Sequence, residues 1–275
     1  MDAMESMETI TVPESLHGYP GVAFGGYVAG LLAARVPGGG GGAVRVDFRR
    51  PVPTRTEVRL GPGEGGTGPG AVLLGADGVL LAAAAPAAVP GAPGAPGALG
   101  GEVPVAPSWA EAVKAAEAYR ADPPDGQVDC FGCGLGRTAA TGLRLHCGVV
   151  PGRELVAAAW TPDAGLLDRD GALPAELVWG ALDCPGNAAG RLLAGGPAGA
   201  VTAALTARVS GGVPGAGSGL VSYSWLVGVE GRKCVVGTAL ATVEGEVCAV
   251  AEALWVRPRG VDGGHAQPNG VRSRG

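Results

Sequence analysis

Polar and apolar residues follow two rhythms along this chain, and the same order of rhythms occurs twice. In the first half, Phe24-Gly-Gly-Tyr-Val-Ala-Gly-Leu-Leu32 is apolar nearly all round, which predicts a helix near 24–36 that must be buried on every side. Strand-like runs follow at 43–50, 54–60, 71–76 and 79–85. In the first of these, Val44, Val46 and Phe48 alternate with Arg45 and Arg49, so the two arginines are expected on one solvent face. The second half has strand-like runs near 143–150 and 154–160, then an apolar helix from Pro174, a residue suited to a first turn. Runs at 200–210, 220–229, 232–243 and 246–257 come next. Val229-Glu-Gly-Arg232 and Val243-Glu-Gly-Glu246 have hairpin-turn chemistry. Cys184-Pro185-Gly186 is expected to end the second helix, since an interior proline costs about 3 kcal/mol. Asn187 would then cap a further helix over 187–194.

Three low-complexity stretches punctuate this pattern. Residues 37–42 and 61–70 read as glycine-rich loops, and 86–104 as a Pro/Gly-rich linker. A short helix is predicted over 108–120, with Ser108 as N-cap and Glu111 closing a capping box. One apolar helix followed by an antiparallel meander, twice, is a duplication. A curved antiparallel sheet wrapped round each helix would bury it, which is the hot-dog arrangement. The predicted fold is therefore α+β: a double hot dog of two antiparallel sheets, each wrapping a central helix. The expected boundaries are an N-terminal hot dog over 1–87, the linker with its short helix over 88–129, a C-terminal hot dog over 130–258, and a disordered tail over 259–275.

Composition narrows the function classes. With 47% hydrophobic but only 4% aromatic residues, the core must be built from Ala, Val and Leu. A net charge of −5 argues against nucleic-acid binding. No apolar run reaches the roughly 18 residues of a membrane span, and the acidic N-terminus has no signal-peptide pattern. These features predict a cytoplasmic protein that does not enter membranes. The scarcity of lysine beside abundant Ala, Gly and Arg is what a high-GC bacterial genome produces. The six cysteines (130, 133, 147, 184, 234 and 248) crowd into the second half and are expected to be reduced thiols. Cys130, Cys133, His146 and Cys147 have finger-like spacing, but the last two are adjacent and would point to opposite faces of a strand, so no metal site is expected.

The candidate chemistry centres on Asp183, a lone carboxylate in the apolar run Leu177-Val-Trp-Gly-Ala-Leu-Asp183. A buried acid is costly unless paired or used; the alternative is an acid at a helix end, given Pro185. The helix openings, the run Cys130-Phe-Gly-Cys133-Gly and the following Thr141-Gly-Leu-Arg-Leu resemble hot-dog acyl-CoA thioesterases of the phenylacetyl-CoA type, over about residues 10–87 and 130–257. That resemblance implies a His-Gly-Gly at a helix start, whose glycine N–H polarises the thioester carbonyl, and an Asp nine residues after the His as base or nucleophile. This chain matches the glycines as Gly25 and Gly26 but has Ala33 at the acid position. The second helix has Ala175 and Glu176 at the glycine positions but keeps the acid as Asp183. One composite site is therefore expected, with Gly25 and Gly26 facing Asp183.

Tyr27, Trp179 and Asn187 are the expected substrate-lining residues. Arg49 and Arg50, in a cluster with Arg45, Arg55 and Arg59, would seat the phosphates of coenzyme A. The leading reading is an acyl-CoA thioesterase acting on an acyl thioester without a cofactor, with a homodimer of double hot dogs among the expected assemblies. A second reading is an acyl-thioester dehydratase or hydratase. Double hot-dog dehydratases carry a His where His17 stands, an Asp where Leu182-Asp183 stands and an amide or His at the place of Asn187, although their Pro is replaced here by Gly26. A third is a non-catalytic acyl-CoA-binding protein.

Overall fold

The computed structural model describes residues 7–37, 42–65, 68–88, 103–124, 128–195, 199–210 and 212–258. The first half comprises β1 (Glu8–Thr11), the short ribbon β2 (His17–Tyr19) and β3 (Val22–Ala23), α1 (Gly25–Ala33), β4 (Ala43–Phe48), β5 (Glu57–Gly65), β6 (Gly68–Gly75) and β7 (Leu80–Ala87). After α2 (Trp109–Ala121) come β8 (Gly148–Val149), β9 (Leu155–Trp160), α3 (Ala175–Leu192), β10 (Val201–Val209), β11 (Leu220–Glu230), β12 (Lys233–Thr242) and β13 (Val247–Val256).

The duplication is visible in the strand order. Outward from the middle, the strands after α1 run β4-β7-β6-β5 and those after α3 run β10-β13-β12-β11. The two halves do not keep separate sheets, as the sequence had suggested. They join at β4 and β10, antiparallel, with Leu205 opposite Val46 and Thr206 opposite Arg45, to give one sheet of 11 strands. Apart, the halves would leave β4 and β10 as bare edges of unpaired N–H and C=O groups, and pairing the two removes both edges.

Both central helices pack on one face of this sheet, in a core that includes Leu32, Val46, Leu60, Leu73, Leu182, Leu205 and Leu240. They lie against each other in opposite directions. A Cβ at Gly26 would fall 2.6 Å from Gly180 Cα, and one at Gly30 would fall 2.3 Å from Glu176 Cα. Only glycine lets the backbones approach this closely. On the opposite face of the sheet α2 buries Ala112 and Ala115 against Leu155, Val221 and Tyr223. Its N-terminus carries the predicted capping box between Ser108 and Glu111. The two hairpin turns have Gly231 and Gly245 at φ of 56° and 90°, as their chemistry required.

Three local expectations are corrected. Helix α3 runs straight through Pro185 to Leu192, so Asn187 lies inside it and caps nothing. A proline at 185 removes the N–H that would serve the Ala181 carbonyl; Ser222 Oγ on β11 donates to that carbonyl instead, at 2.5 Å. Much of the stretch 61–70 is strand rather than loop, with Gly63 paired to Gly70. A Cβ at Gly70 would fall 1.8 Å from Ala84 O, so the glycines there serve close strand packing. Of the run 143–150 only Gly148–Val149 enters the sheet, because Arg144 has φ 56° and the N–H groups of Leu143 and Leu145 donate to Phe131 and Gly132. The segment is thus tied to the loop that carries Cys130 and Cys133. Residues 38–41, 89–102 and 259–275, which include most of the predicted linker and the tail, lie outside the described residues.

Candidate active site

Where α1 begins, α3 is at mid-length, and the crossing brings Asp183 to the first turn of α1. A Cβ at Gly25 would lie 3.0 Å from Asp183 Oδ2, and one at Gly26 would lie 2.9 Å from Asp183 Cβ. The Asp183 carboxylate accepts hydrogen bonds from the Gly26 backbone N–H and, at 2.7 Å, from Thr202 Oγ1 on β10. The residue is 1% exposed. Burial pushes its carboxyl up to about 7; the bonds from Thr202 and Gly26 pull it back, and the nearby Cys130 raises it further. An acid with these neighbours changes charge near neutral pH, which suits proton transfer.

Asp183 and Gly25 line a cavity of about 520 Å³, within the usual range for small-molecule sites. Its walls include Phe24, Phe48, Val52, Trp255 and Thr202, and Arg49 and Arg50 stand exposed at its rim. Asn187 also lines it, with Nδ2 donating to Ala200 O at 3.3 Å. Cys130, Cys133 and Cys184 complete the side of the cavity nearest Asp183. Of the residues singled out in the sequence, then, the fold brings together Gly25, Gly26, Asp183, Asn187, Arg49 and Arg50.

Others it keeps apart. Trp179 is buried in the core and Tyr27 packs against it; neither is among the lining residues. Burial, with the Glu176 charge adding, raises the Tyr27 phenol. His17 does not line the cavity either: Nδ1 donates to Glu14 O at 2.6 Å, and Nε2 lies 3.5 Å from Asp129 Oδ1. Arg45 and Arg49 do not lie on one strand. Arg45 pairs with Asp47 at 2.9 Å, whereas Arg49 comes after β4 has ended.

His146 stacks on Tyr119 with 5.2 Å between ring centroids, and burial drives its imidazole down to about 4. None of the six cysteines is in a disulfide among the described residues. Among the described residues no group of three or more His, Cys, Asp or Glu is arranged to hold a metal ion, and no helix is long and apolar enough to cross a membrane.

Thr202 was missed from the sequence. It sits in an ordinary strand-like run, and nothing there distinguishes it from Thr206 until the fold sets it beside Asp183.

Solved structures share this architecture. The TesB protein of Mycobacterium avium subsp. paratuberculosis aligns with a TM-score of 0.61 at 14% identity, over 94% of this chain and 95% of that one. A hot-dog-fold protein of unknown function from Alicyclobacillus acidocaldarius aligns with a TM-score of 0.56 at 14% identity, over 92% and 93%. This chain has a hot-dog fold. A candidate thioesterase II from Thermobifida fusca matches that fold as well, with a TM-score of 0.56 at 17% identity, over 92% of this chain and 94% of that one. No family model and no curated protein sequence matches the chain.

Proposed function

We propose that this protein hydrolyses an acyl thioester, of the acyl-CoA class, at a composite site shared by its two halves. The observation that supports this most is the Asp183 carboxylate of α3 set against the Gly25–Gly26 turn of α1, on the wall of a largely apolar cavity. In this reading the acyl chain occupies the cavity and its carbonyl oxygen meets the N–H of Gly25. That N–H is the first of α1 and needs no partner within the helix, whereas the Gly26 N–H already serves Asp183. An N–H fixed at a helix N-terminus stabilises the oxyanion that forms as the thioester is attacked.

Asp183, oriented by Thr202, accepts a proton from the attacking water. The thiol leaves towards the rim, where Arg49 and Arg50 attract the phosphates of its carrier. Localisation in the cytoplasm and a bacterial source belong to the same proposal. The dehydratase alternative would need the His17 imidazole at the cavity, and both ring nitrogens are engaged outside it.

The test is release of free thiol from acyl-CoAs of increasing chain length. Wild type should turn over part of the series, and Asp183→Asn should lose about 100-fold or more, the scale of general-base catalysis. Unchanged release by Asp183→Asn sinks the reading. Tight acyl-CoA binding by a wild type that releases no thiol would make this a binding protein instead.

A further inference from the structure

A second cavity opens beside the first. It has a volume of about 210 Å³ and shares Asn187 and Trp255 with the active-site cavity as walls. Its other walls carry Arg191, Arg232, Lys233 and Arg257, and among the described residues no carboxylate lines it. None of these four cations is in an ion pair among the described residues. The Arg232 guanidinium donates to the Arg257 carbonyl, and Arg257 N–H donates to Arg232 O at 2.9 Å. The two segments that carry three of the charges are thereby held together. Unopposed charges of one sign on a concave wall attract an anion.

Two buried donors on this wall have no acceptor. Arg191 Nε and Trp255 Nε1 are both without a hydrogen-bond partner, and Trp255 is 6% exposed. A Cβ at Gly186 would fall 2.5 Å from Trp255 Nε1. The indole N–H is therefore set against Gly186, which lines the second cavity and not the first. A buried donor without an acceptor costs stability, and a ligand anion against this wall would supply one. Compensation of the α3 dipole would account for Arg191 alone.

Two directions through the fold relate this cavity to Asp183. Along α3, Asp183, Asn187 and Arg191 are spaced by four residues and so lie on one face. This requires the helix to pass Pro185 unbroken, and Arg191 then stands about 12 Å along the axis from Asp183. Across the sheet the order is β4-β10-β13-β12, with Thr202 opposite Trp255 and Trp255 opposite Cys234. Arg49 and Arg50 follow β4, Thr202 with its bond to Asp183 sits on β10, and Lys233 begins β12. The two positive groups therefore lie on opposite sides of the acid. With the carrier phosphates at Arg49 and Arg50, the second cavity is on the acyl side.

We propose that the second cavity is an anion subsite for the far end of the acyl group, so that the substrates are thioesters of dicarboxylic acids. The proposal rests on the acyl-thioester reading of the active site. The acyl carbonyl meets Gly25, the methylene chain runs past Asn187 and Trp255, and its terminal carboxylate is held by Arg191 with Lys233 and Arg257 around it. A guanidinium takes a carboxylate through paired N–H donors. A plain fatty acyl chain would instead bring its methyl end to a charged wall and leave the donors there without an acceptor.

The experiment measures thiol release by the full chain from octanoyl-CoA and suberyl-CoA, which match in carbon number and differ in the terminal carboxylate. Calorimetry follows the binding of both. Wild type should favour suberyl-CoA in kcat/KM by about 10-fold or more, the scale of one hydrogen bond to a charged group. Arg191→Gln and, separately, Lys233→Gln should raise the KM for suberyl-CoA and remove that preference. Lys233 is exposed, so its variant decides the question if Arg191→Gln does not fold. Suberyl-pantetheine, which lacks the carrier phosphates, should lose the same factor in both variants.

Equal turnover of the two CoA esters by wild type, or a preference for octanoyl-CoA, overturns the anion subsite and leaves hydrolysis standing. A suberyl preference that survives both variants overturns its assignment to these cations. Variants that weaken both CoA esters but spare suberyl-pantetheine place the carrier phosphates in the second cavity, which also overturns it. Release from neither ester, with tighter binding of suberyl-CoA that the variants lose, supports the subsite and overturns hydrolysis. Neither release nor a binding preference overturns both.

Discussion

Helices α1 and α3 occupy matching places in the two halves, and they differ in where they carry glycine and acid. Counted from their first residues, Gly26 corresponds to Glu176, Gly30 to Gly180 and Ala33 to Asp183. The contact of Gly26 with Gly180 is then the mate of the contact of Gly30 with Glu176. The crossing is two-fold in its backbone but not in its side chains. At one end an acid meets a glycine turn beside a cavity. At the other, Glu176 meets the backbone of Gly30 and influences Tyr27, and Ala33 supplies no acid. The backbone crossing occurs twice, but only one end sets an acid beside the cavity.

The largest test of this contrast is Asp183→Asn, which should cost about 100-fold or more in thiol release yet raise stability at neutral pH. The sign follows from proton binding. The folded state holds the Asp183 proton up to about 7, whereas the unfolded chain releases it near the ordinary 3.8. Between these values the folded state binds the extra proton, so stability falls as pH rises through the window, by up to about 4 kcal/mol. Denaturant titrations at pH 4.5 and pH 7.5 should show that slope in wild type and not in the variant. The wild-type rate should rise with pH through about 7 as Asp183 ionises. A flat rate profile would remove Asp183 from proton transfer.

Gly30→Ala comes next, because it attacks the crossing at the end that carries no site. Its Cβ would meet Glu176 backbone at 2.3 Å, and overpacking of this kind costs about 1–3 kcal/mol or more. Thermal melting should detect the loss, and a variant as stable as wild type would mean that the helices separate easily.

Ser222→Ala should cost about 1–3 kcal/mol by leaving the buried Ala181 carbonyl without its donor, measured by urea denaturation. An unchanged midpoint would show that Pro185 needs no such support. Thr202→Val removes a hydrogen bond that favours the Asp183 carboxylate. It should therefore move the inflection of the rate profile to higher pH, by about one unit. Smallest is a control outside both helices: Ser108→Ala should cost about 1 kcal/mol through the lost cap on α2, with thiol release unchanged.

Much of the fold was legible in the chain because periodicity is local. The alternation Val44-Arg45-Val46-Asp47 marks a strand wherever it lies, and the turn glycines Gly231 and Gly245 mark hairpins for the same reason. The continuity of α3 was not legible. Local rules end a helix near Pro185, and the group that rescues the orphaned carbonyl, Ser222, is on a distant strand. The joining of β4 to β10 was hidden for a similar reason: either strand reads equally well at an edge or in the middle of a sheet. In the candidate site, Asp183, Gly25 and Gly26 stood out as departures from pattern, whereas Thr202 and Cys184 look like ordinary strand and helix residues until their neighbours are known.

The sequence by itself determined most of the elements, the repeated order of helix and strands, and the unequal distribution of glycines and acid between two apolar helices, since each is fixed by residue type and local spacing. Only the tertiary structure decided what those residues face. The near-contact of two glycine-bearing helices set Asp183 against the first turn of α1, burial raised its carboxyl to about 7, and a loop far from it in sequence brought Cys130 to the same cavity wall. Distance, burial and charge are properties of the packed chain, and they arise only when segments remote in sequence meet.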